Sequence, residues 1–336
     1  MEIIDKNIDG GKSFDWGRTS CDYAKYRDIY PKEFYDKIIN RSLCIKNQTV
    51  LDLGTGTGVL PRNLYSYGAK WIGTDISENQ IEQAKLLSKN MDIEYYPSSA
   101  ENLDFPKNSF DVITACQCFF YFDHEKIMPN LHQLLKKDGR LLVLYMTWLP
   151  FEDKIAGESE NLVLKYNPTW SGAKETMHPI GIPDCYNEKF ELVYHEEYKL
   201  NVPFTRETWH GRIKACRGIG ASLSAEEIAN WETEHKSLLK KIAPEEFEIL
   251  HYGAIAELKK HPPKAEYSLH HFQQAYVQPL QSFFYLLKSI RWLSCHAVGF
   301  RLLLPHDVFC THPPDKVRVR HQKSLRTLSC NSHRYP

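Results

Sequence analysis

The feature that most constrains this chain is a regular alternation between Thr49 and Tyr145. Short apolar runs there follow helical stretches at intervals of roughly 20–30 residues. Thr49-Val50-Leu51-Asp52-Leu53 ends in glycines and reads as a buried strand. Val59 to Tyr67 reads as a helix and Trp71 to Thr74 as a second strand. Ser77 with Gln80 three residues on resembles a capping box for a helix reaching about Lys89. Asp92 to Tyr96 and Phe110 to Ala115 give the third and fourth strands. His124 to Lys136 is a helix closed by Asp138-Gly139, and Arg140 to Tyr145 is a fifth strand. Neighbouring parallel strands need a crossover between them, and a helix is the usual one. The expected fold is therefore α/β: a doubly wound, mostly parallel sheet with helices on both faces. Ligands in such sheets sit at the carboxyl ends of the strands.

The flanks are less regular. Residues 1–46 are aromatic-rich, with a helix expected from Pro31 to Asn40. Residues 147–187 hold Pro150, Pro168, Pro179 and Pro183 and little periodicity, as in a structured excursion over the sheet. Phe190 to Val202 and Glu248 to Leu258 read as strands, bringing the sheet to seven. Glu207 to Arg217 and Ser224 to Ile242 read as helices. The expected organisation is a helical segment 1–46, a ligand-binding core 47–147, and a cap insertion with the last strands over 148–261. An atypical basic tail, 262–336, follows. The tail holds seven of the fifteen histidines, and from Lys264 on it carries ten Lys/Arg against three Asp/Glu. It reads as a disordered or non-native extension rather than an independent domain.

Formal net charge is zero, with 42 basic and 42 acidic residues, so no global charge favours nucleic acid or a membrane surface. Nine cysteines, an odd number with no Cys-x-x-Cys pair and no zinc-like spacing, read as reduced thiols of a cytoplasmic protein, and no metal is expected. The start, Met1-Glu2-Ile3-Ile4-Asp5-Lys6, lacks the apolar run of a signal peptide. Lys288, Arg291, His296 and Arg301 interrupt the most apolar stretch, so it is a poor spanning helix.

The chemistry concentrates after the first strand. Glycines at 54, 56 and 58 permit a sharp turn and let a ligand approach main-chain N–H groups. That pattern alone is weak and also fits a plain strand–helix turn. Asp75, at the end of the second strand and 17 residues after Gly58, sharpens it, because a carboxylate there can accept from both hydroxyls of a ribose. The same geometry serves a nicotinamide dinucleotide. Two details oppose that reading: Val59 stands where Gly-x-Gly-x-x-Gly needs glycine, and Asp52 would repel a pyrophosphate but suit an ammonium group.

Val50-Leu51-Asp52-Leu53-Gly54-Thr55-Gly56-Thr57-Gly58 resembles the first motif of class I S-adenosylmethionine-dependent methyltransferases. Gly73-Thr74-Asp75-Ile76-Ser77 resembles their acidic second motif. Ser98 to Leu103 with Phe105-Pro106 and Ser109-Phe110-Asp111, then Lys136 to Leu141, resemble the later motifs in order. The resemblance implies a Rossmann-like seven-stranded sheet, S-adenosylmethionine as cofactor, and a role for each matching residue. Asp52, Gly54, Thr55, Gly56 and Gly58 would hold the methionine part and Asp75 the ribose. Ile76 would pack on the adenine, with Ser99, Ala100 and Glu101 along its edge; the family often has Asp where Ser99 stands. Cys116 and Gln117 would face the methionine end. Tyr23-Ala24-Lys25-Tyr26-Arg27-Asp28-Ile29-Tyr30-Pro31 is similar to an N-terminal lid helix of small-molecule methyltransferases, including the trans-aconitate type. There Tyr26 would face the sulfonium and Arg27 would pair with the methionine carboxylate.

An acceptor with a hydroxyl or amine would want a base, and His124, His178 and His210 are the candidates, each with a structural reading beside it. Trp209, Arg212 and Arg217 are candidates for an anionic, carboxylate-binding clamp, the alternative being a solvated helix face. Trp148, Trp170 and Tyr186 read as packing anchors. The expectation is methyl transfer to a small-molecule acceptor, with no specific nucleic-acid or membrane partner. Asn167-Pro168-Thr169-Trp170 resembles a base-gripping turn but follows the fifth strand rather than the fourth, and no Pro-Cys nucleophile occurs. The rival readings are a nucleic-acid or protein methyltransferase, a nicotinamide-linked oxidoreductase and a non-catalytic cofactor-binding regulator.

Overall fold

The computed structural model describes residues 2–261. The expectations for the tail, 262–336, lie outside the described residues. Seven strands form one sheet in the order β3-β2-β1-β4-β5-β7-β6. They are β1 Thr49–Leu53, β2 Lys70–Asp75, β3 Ile93–Pro97, β4 Phe110–Cys116, β5 Leu135–Trp148, β6 Phe190–Thr205 and β7 Glu246–Lys260. β1 to β5 pair in parallel; β7 runs antiparallel to both β5 and β6. The order reverses between β1 and β4, so their carboxyl ends splay apart and leave a crevice.

Period-two alternation divides the sheet into two apolar faces. Val50, Val112, Leu142 and Leu144 pack with the buried residues of α2 (Lys32–Ile39), α3 (Val59–Leu64), α6 (Lys154–Tyr166), α7 (Arg206–Lys214) and α8 (Ala225–Ile242). Leu51, Leu53, Ile113, Leu141 and Val143 pack on the opposite side with α5 (His124–Leu134). The remaining helices are α1 (Ser20–Tyr26) and α4 (Glu78–Leu87), the latter capped by the Ser77 hydroxyl accepting from Gln80 N–H. A sheet covered on both faces explains why its central strands read as continuous apolar runs.

The structure departs from the expectations in three places. The excursion 147–187 contains a full helix, α6, started by the Asp153 carboxylate accepting from Ala156 N–H. The four prolines that hid it all lie outside Lys154–Tyr166. The helix expected to reach Lys136 ends at Leu134. Leu135 already pairs with Phe110, and the register then shifts so that Arg140 meets Val112. The helix expected to reach Arg217 ends at Lys214, and Arg217–Ala221 forms a separate π turn that takes Arg217 off the face of α7. No helix of the described residues is long and apolar enough to cross a membrane.

Candidate functional site

A cavity of about 850 Å³ opens at the carboxyl ends of β1, β2, β4 and β5, inside the roughly 300–1,000 Å³ range of small-ligand sites. One end is built by the glycine turn. Gly54 and Gly56 line it with φ of 55° each, a left-handed conformation that favours glycine. A Cβ on Gly54 would lie 2.7 Å from Cβ of Cys118. A Cβ on Gly56 would meet only the Tyr23 ring, at 3.5 Å, so at that point the main chain borders open space.

Asp75 closes β2 beside this turn and lines the cavity. Its Oδ2 accepts from Gly56 N–H and its Oδ1 from Ser77 N–H, both at 2.9 Å. Each carboxylate oxygen thus keeps one further acceptor site. Burial raises its pKa, against the pull of those two N–H donors. Ile76, Ser99, Ala100 and Glu101 line the same end, with Ile76 39% exposed. Ser99 offers a hydroxyl that makes no hydrogen bond among the described residues. Cys116 and Gln117 line the floor past β4. Gln117 has φ 68° and donates its side-chain N–H to the Met146 carbonyl at 2.5 Å.

Three residues of the glycine motif expected on the cofactor do not line the cavity. Asp52 is 2% exposed, and it accepts hydroxyl hydrogen bonds from Thr55 and Thr114 at 2.6 Å each. Burial pushes it up to about 6. It braces the turn across to β4 instead of meeting an ammonium group. Thr55 is spent on that brace and on a bond from its N–H to the Thr74 carbonyl. Gly58 makes room for the Tyr95 hydroxyl, which would lie 2.3 Å from a Cβ there.

The N-terminal segment corrects the lid reading by one side chain. Tyr26 packs its ring on Gly211, next to Lys25 and Glu207, away from the cavity. Tyr23 takes the lining position, and Arg27, four residues on, stacks over its ring at 4.7 Å. The i, i+4 spacing puts those two on one helix face. Trp16 adds an edge against Tyr23 and also lines the cavity.

The rest of the lining includes Trp148, Trp170, Glu175, His178, Arg212 and Arg217. Arg217 is spent structurally. Its Nε meets Asp9 Oδ2 at 2.8 Å, Nη2 donates to Asp9 Oδ1 and Ser171 Oγ at 3.0 Å, and Nη1 donates to Tyr121 OH at 2.7 Å. Asp9 also accepts from the Ser171 N–H and hydroxyl, so one buried carboxylate ties the N-terminal segment to the excursion and, through Arg217, to the π turn. Arg212 is 3% exposed and sits 4.9 Å over the Trp148 ring, with one bond from Nη1 to Cys216 Sγ at 3.0 Å. Burial, then the charge of Arg27, pushes its pKa down. Trp209 is fully buried, donates to Ser159 Oγ at 2.9 Å and packs against Trp148 and Phe204, so it is core and not a substrate contact. Tyr186 is core as well.

None of the three histidines is placed as a free base. His124 contacts Tyr186 OH at 3.2 Å and stacks on Phe119, outside the cavity, and burial lowers its pKa. His210 also lies outside. The Ser159 hydroxyl donates to the Ile155 carbonyl, so the His235 Nε2–H must donate to Ser159 Oγ. His235 Nδ1 then accepts from His210 Nδ1–H at 2.9 Å. His178 does line the cavity, but Nδ1 faces the Pro179 carbonyl and Nε2 faces Glu175, both at 2.8 Å. Two acceptors suit an imidazolium. Burial opposes the charge, yet the Pro179 carbonyl and Glu175 outweigh it and hold the pKa above its ordinary value. Glu175 also accepts from Tyr145 OH at 3.0 Å.

The sequence reading missed Asp9, Trp16, Tyr121, Ser171 and Glu175. Among these only Trp16 carried a local signal, an aromatic just ahead of the Tyr23 helix.

Comparison with known proteins identifies the core. The family described as "Methyltransferase domain" matches residues 51–143. A Dictyostelium discoideum protein named as a methyltransferase is 33% identical over 128 residues, which are 38% of this chain and 47% of that one. The uncharacterized methyltransferase YcgJ of Bacillus subtilis is 27% identical over 176 residues, 51% of this chain and 68% of its own. The ubiquinone/menaquinone biosynthesis C-methyltransferase UbiE of Escherichia coli is 36% identical over 107 residues, 30% and 43% respectively. The chain spans about half the length of the first curated relatives it matches. With the sheet order and the glycine turn already in hand, the family match shows that residues 51–143 of this chain are a methyltransferase domain.

Proposed function

We propose that this protein is an S-adenosylmethionine-dependent methyltransferase acting on a small-molecule acceptor. The observation that carries the reading is one continuous cavity with a nucleoside-suited end, Gly54, Gly56 and Asp75, and a cationic aromatic end, Trp148 and Arg212. The residues present fit the cofactor. Asp75 retains two acceptor sites for ribose hydroxyls, the Ser99 hydroxyl is unengaged, and Gly56 borders open space. In this reading Ile76, Ala100 and Glu101 flank the adenine, and Cys116 and Gln117 border the methionine end. When bound, the cofactor supplies a methyl group on a sulfonium, a good leaving group. The chain's own task is to position the acceptor and exclude water. Tyr23, Trp16 and Arg27 on the N-terminal segment cover the cofactor end, which supports residues 1–46 as a lid. The 148–261 region supplies Trp148, Trp170 and Arg212, which supports it as an acceptor cap. No base is required for an acceptor already deprotonated at neutral pH, such as a carboxylate, consistent with three engaged histidines. A reducing, cytoplasmic setting suits the six described cysteines, all free thiols.

The test is a transfer assay on the full chain with methyl-labelled S-adenosylmethionine against pooled carboxylic acids, phenols and amines, with products identified by mass. A labelled small molecule is expected. Label appearing only in protein or nucleic acid, or cofactor binding with no transfer at all, overturns the reading.

A further inference from the structure

We propose that Arg212 is the specificity-determining residue for an acceptor bearing a carboxylate, while Arg27 serves the carboxylate of the cofactor's methionine part. This rests on the methyltransferase reading and names the substrate class of the same cavity.

Three guanidinium groups line the cavity, and the fold treats them differently. Arg217, 7% exposed, has Asp9 as counter-ion and hydroxyl partners from Ser171 and Tyr121. Arg212, only 3% exposed, has no carboxylate within ion-pair distance among the described residues. Its Nε makes no hydrogen bond, and the sulfur of Cys216 is a weak acceptor for Nη1. Arg27 likewise lacks a carboxylate partner among the described residues and bonds only to Tyr23 OH, at 3.3 Å. A buried, uncompensated charge costs several kcal/mol, and a guanidinium cannot shed its proton. Burial, and after it the charge of the neighbouring Arg27, lowers the Arg212 pKa, and among the described residues the protein supplies neither guanidinium with an anion.

The rings they stack on distinguish the two roles. Arg27 stacks on Tyr23, whose ring abuts Gly56 of the nucleoside-suited turn. Arg212 stacks on Trp148, the last residue of β5, and belongs to the region 148–261. One remaining positive charge balances one carboxylate. A phosphate monoester carries about −1.5 to −2 charges and would be undercompensated by that single guanidinium. The planar guanidinium edge also matches a carboxylate in a two-point contact, which an ammonium cannot give.

Calorimetry on the full chain separates the assignments. S-adenosylhomocysteine and 5′-methylthioadenosine, which lacks the amino-acid part, are titrated into wild type, Arg27→Met and Arg212→Met. Arg27→Met should weaken S-adenosylhomocysteine at least tenfold and leave methylthioadenosine within about twofold; Arg212→Met should leave both within about threefold. The chain loaded with S-adenosylhomocysteine is then titrated with benzoate, hexanoate and succinate, with the corresponding amides, and with phenyl phosphate. At least one carboxylate should bind tenfold or more tighter than its amide. That preference should vanish in Arg212→Met and return in part in Arg212→Lys, which keeps the charge if the Met variant fails to fold. A preference surviving in both variants, a preference for phenyl phosphate, or no carboxylate preference in wild type overturns the proposal. So does loss of S-adenosylhomocysteine in Arg212→Met alone. Failure of wild type to bind S-adenosylhomocysteine would instead sink the methyltransferase reading beneath it.

Discussion

The two ends of the cavity are made in opposite ways. The cofactor end comes from short stretches, residues 52–58, 75–77 and 98–101, each at the carboxyl end of a neighbouring strand or in the loop after it. Its hydrogen-bonding capacity lies largely in main-chain geometry and one carboxylate. The acceptor end comes from Trp148, Trp170, Glu175, Arg212 and Arg217, spread along the chain and held by side-chain contacts such as Arg217–Asp9, 208 residues apart. Recognition built from turns can be read locally. Recognition built from packed side chains depends on which charges the fold has already neutralised.

Four perturbations would break or sharpen that contrast. The largest effect is expected from Asp9→Ala, which strands the Arg217 guanidinium. Stability should fall by about 3–5 kcal/mol, read from the denaturation midpoint; a change below about 1 kcal/mol would show that the tie is not structural. Next, Asp75→Ala should weaken S-adenosylhomocysteine at least tenfold in calorimetry, about 1.5–3 kcal/mol for charge-assisted bonds. Trp209→Phe removes one buried hydrogen bond, to Ser159. It should cost about 1 kcal/mol while leaving nucleoside affinity untouched, and an affinity loss there would return Trp209 to the site.

The most gradual effect is in pH. Burial holds His210 near 4, and His235 and His251 near 3, in the folded chain, against 6.5 ordinarily. Depressed folded values mean that the unfolded chain binds protons first. The stability present above pH 6.5 should therefore decline as pH falls from there towards 3. Nucleoside affinity should also drop on acidification, because Asp75, raised by burial, accepts best when ionised. A flat stability profile from pH 7 to 4 would contradict the histidine account.

These same contacts explain what the chain disclosed before its fold was known. The strands, the glycine turn and Asp75 were legible because each depends on residues adjacent in sequence: alternating apolar side chains, glycine conformations, a carboxylate one strand over. Asp52 was misread because its type and place suggested a cation partner, whereas it is buried away from the cavity against the hydroxyls of Thr55 and Thr114. Thr114 lies on β4, 62 residues away, beyond local inference. Tyr26 and Tyr23 were distinguishable only once Gly211 of α7 packed against the former. Arg212 and Arg217, five residues apart on an apparent single helix, diverged because a π turn intervenes and Asp9 reaches only one of them. Helix α6 was hidden by prolines that flank it, although Asp153 and the apolar positions at 155, 156, 162 and 163 carried its signature.

The most direct measurement is a crystal structure of the full chain grown with S-adenosylhomocysteine. The account predicts both ribose hydroxyls within hydrogen-bond distance of the Asp75 carboxylate and the amino-acid part beside Gly54, Gly56 and Arg27. A nucleoside bound elsewhere, or a turn whose N–H groups face away from it, would contradict the account.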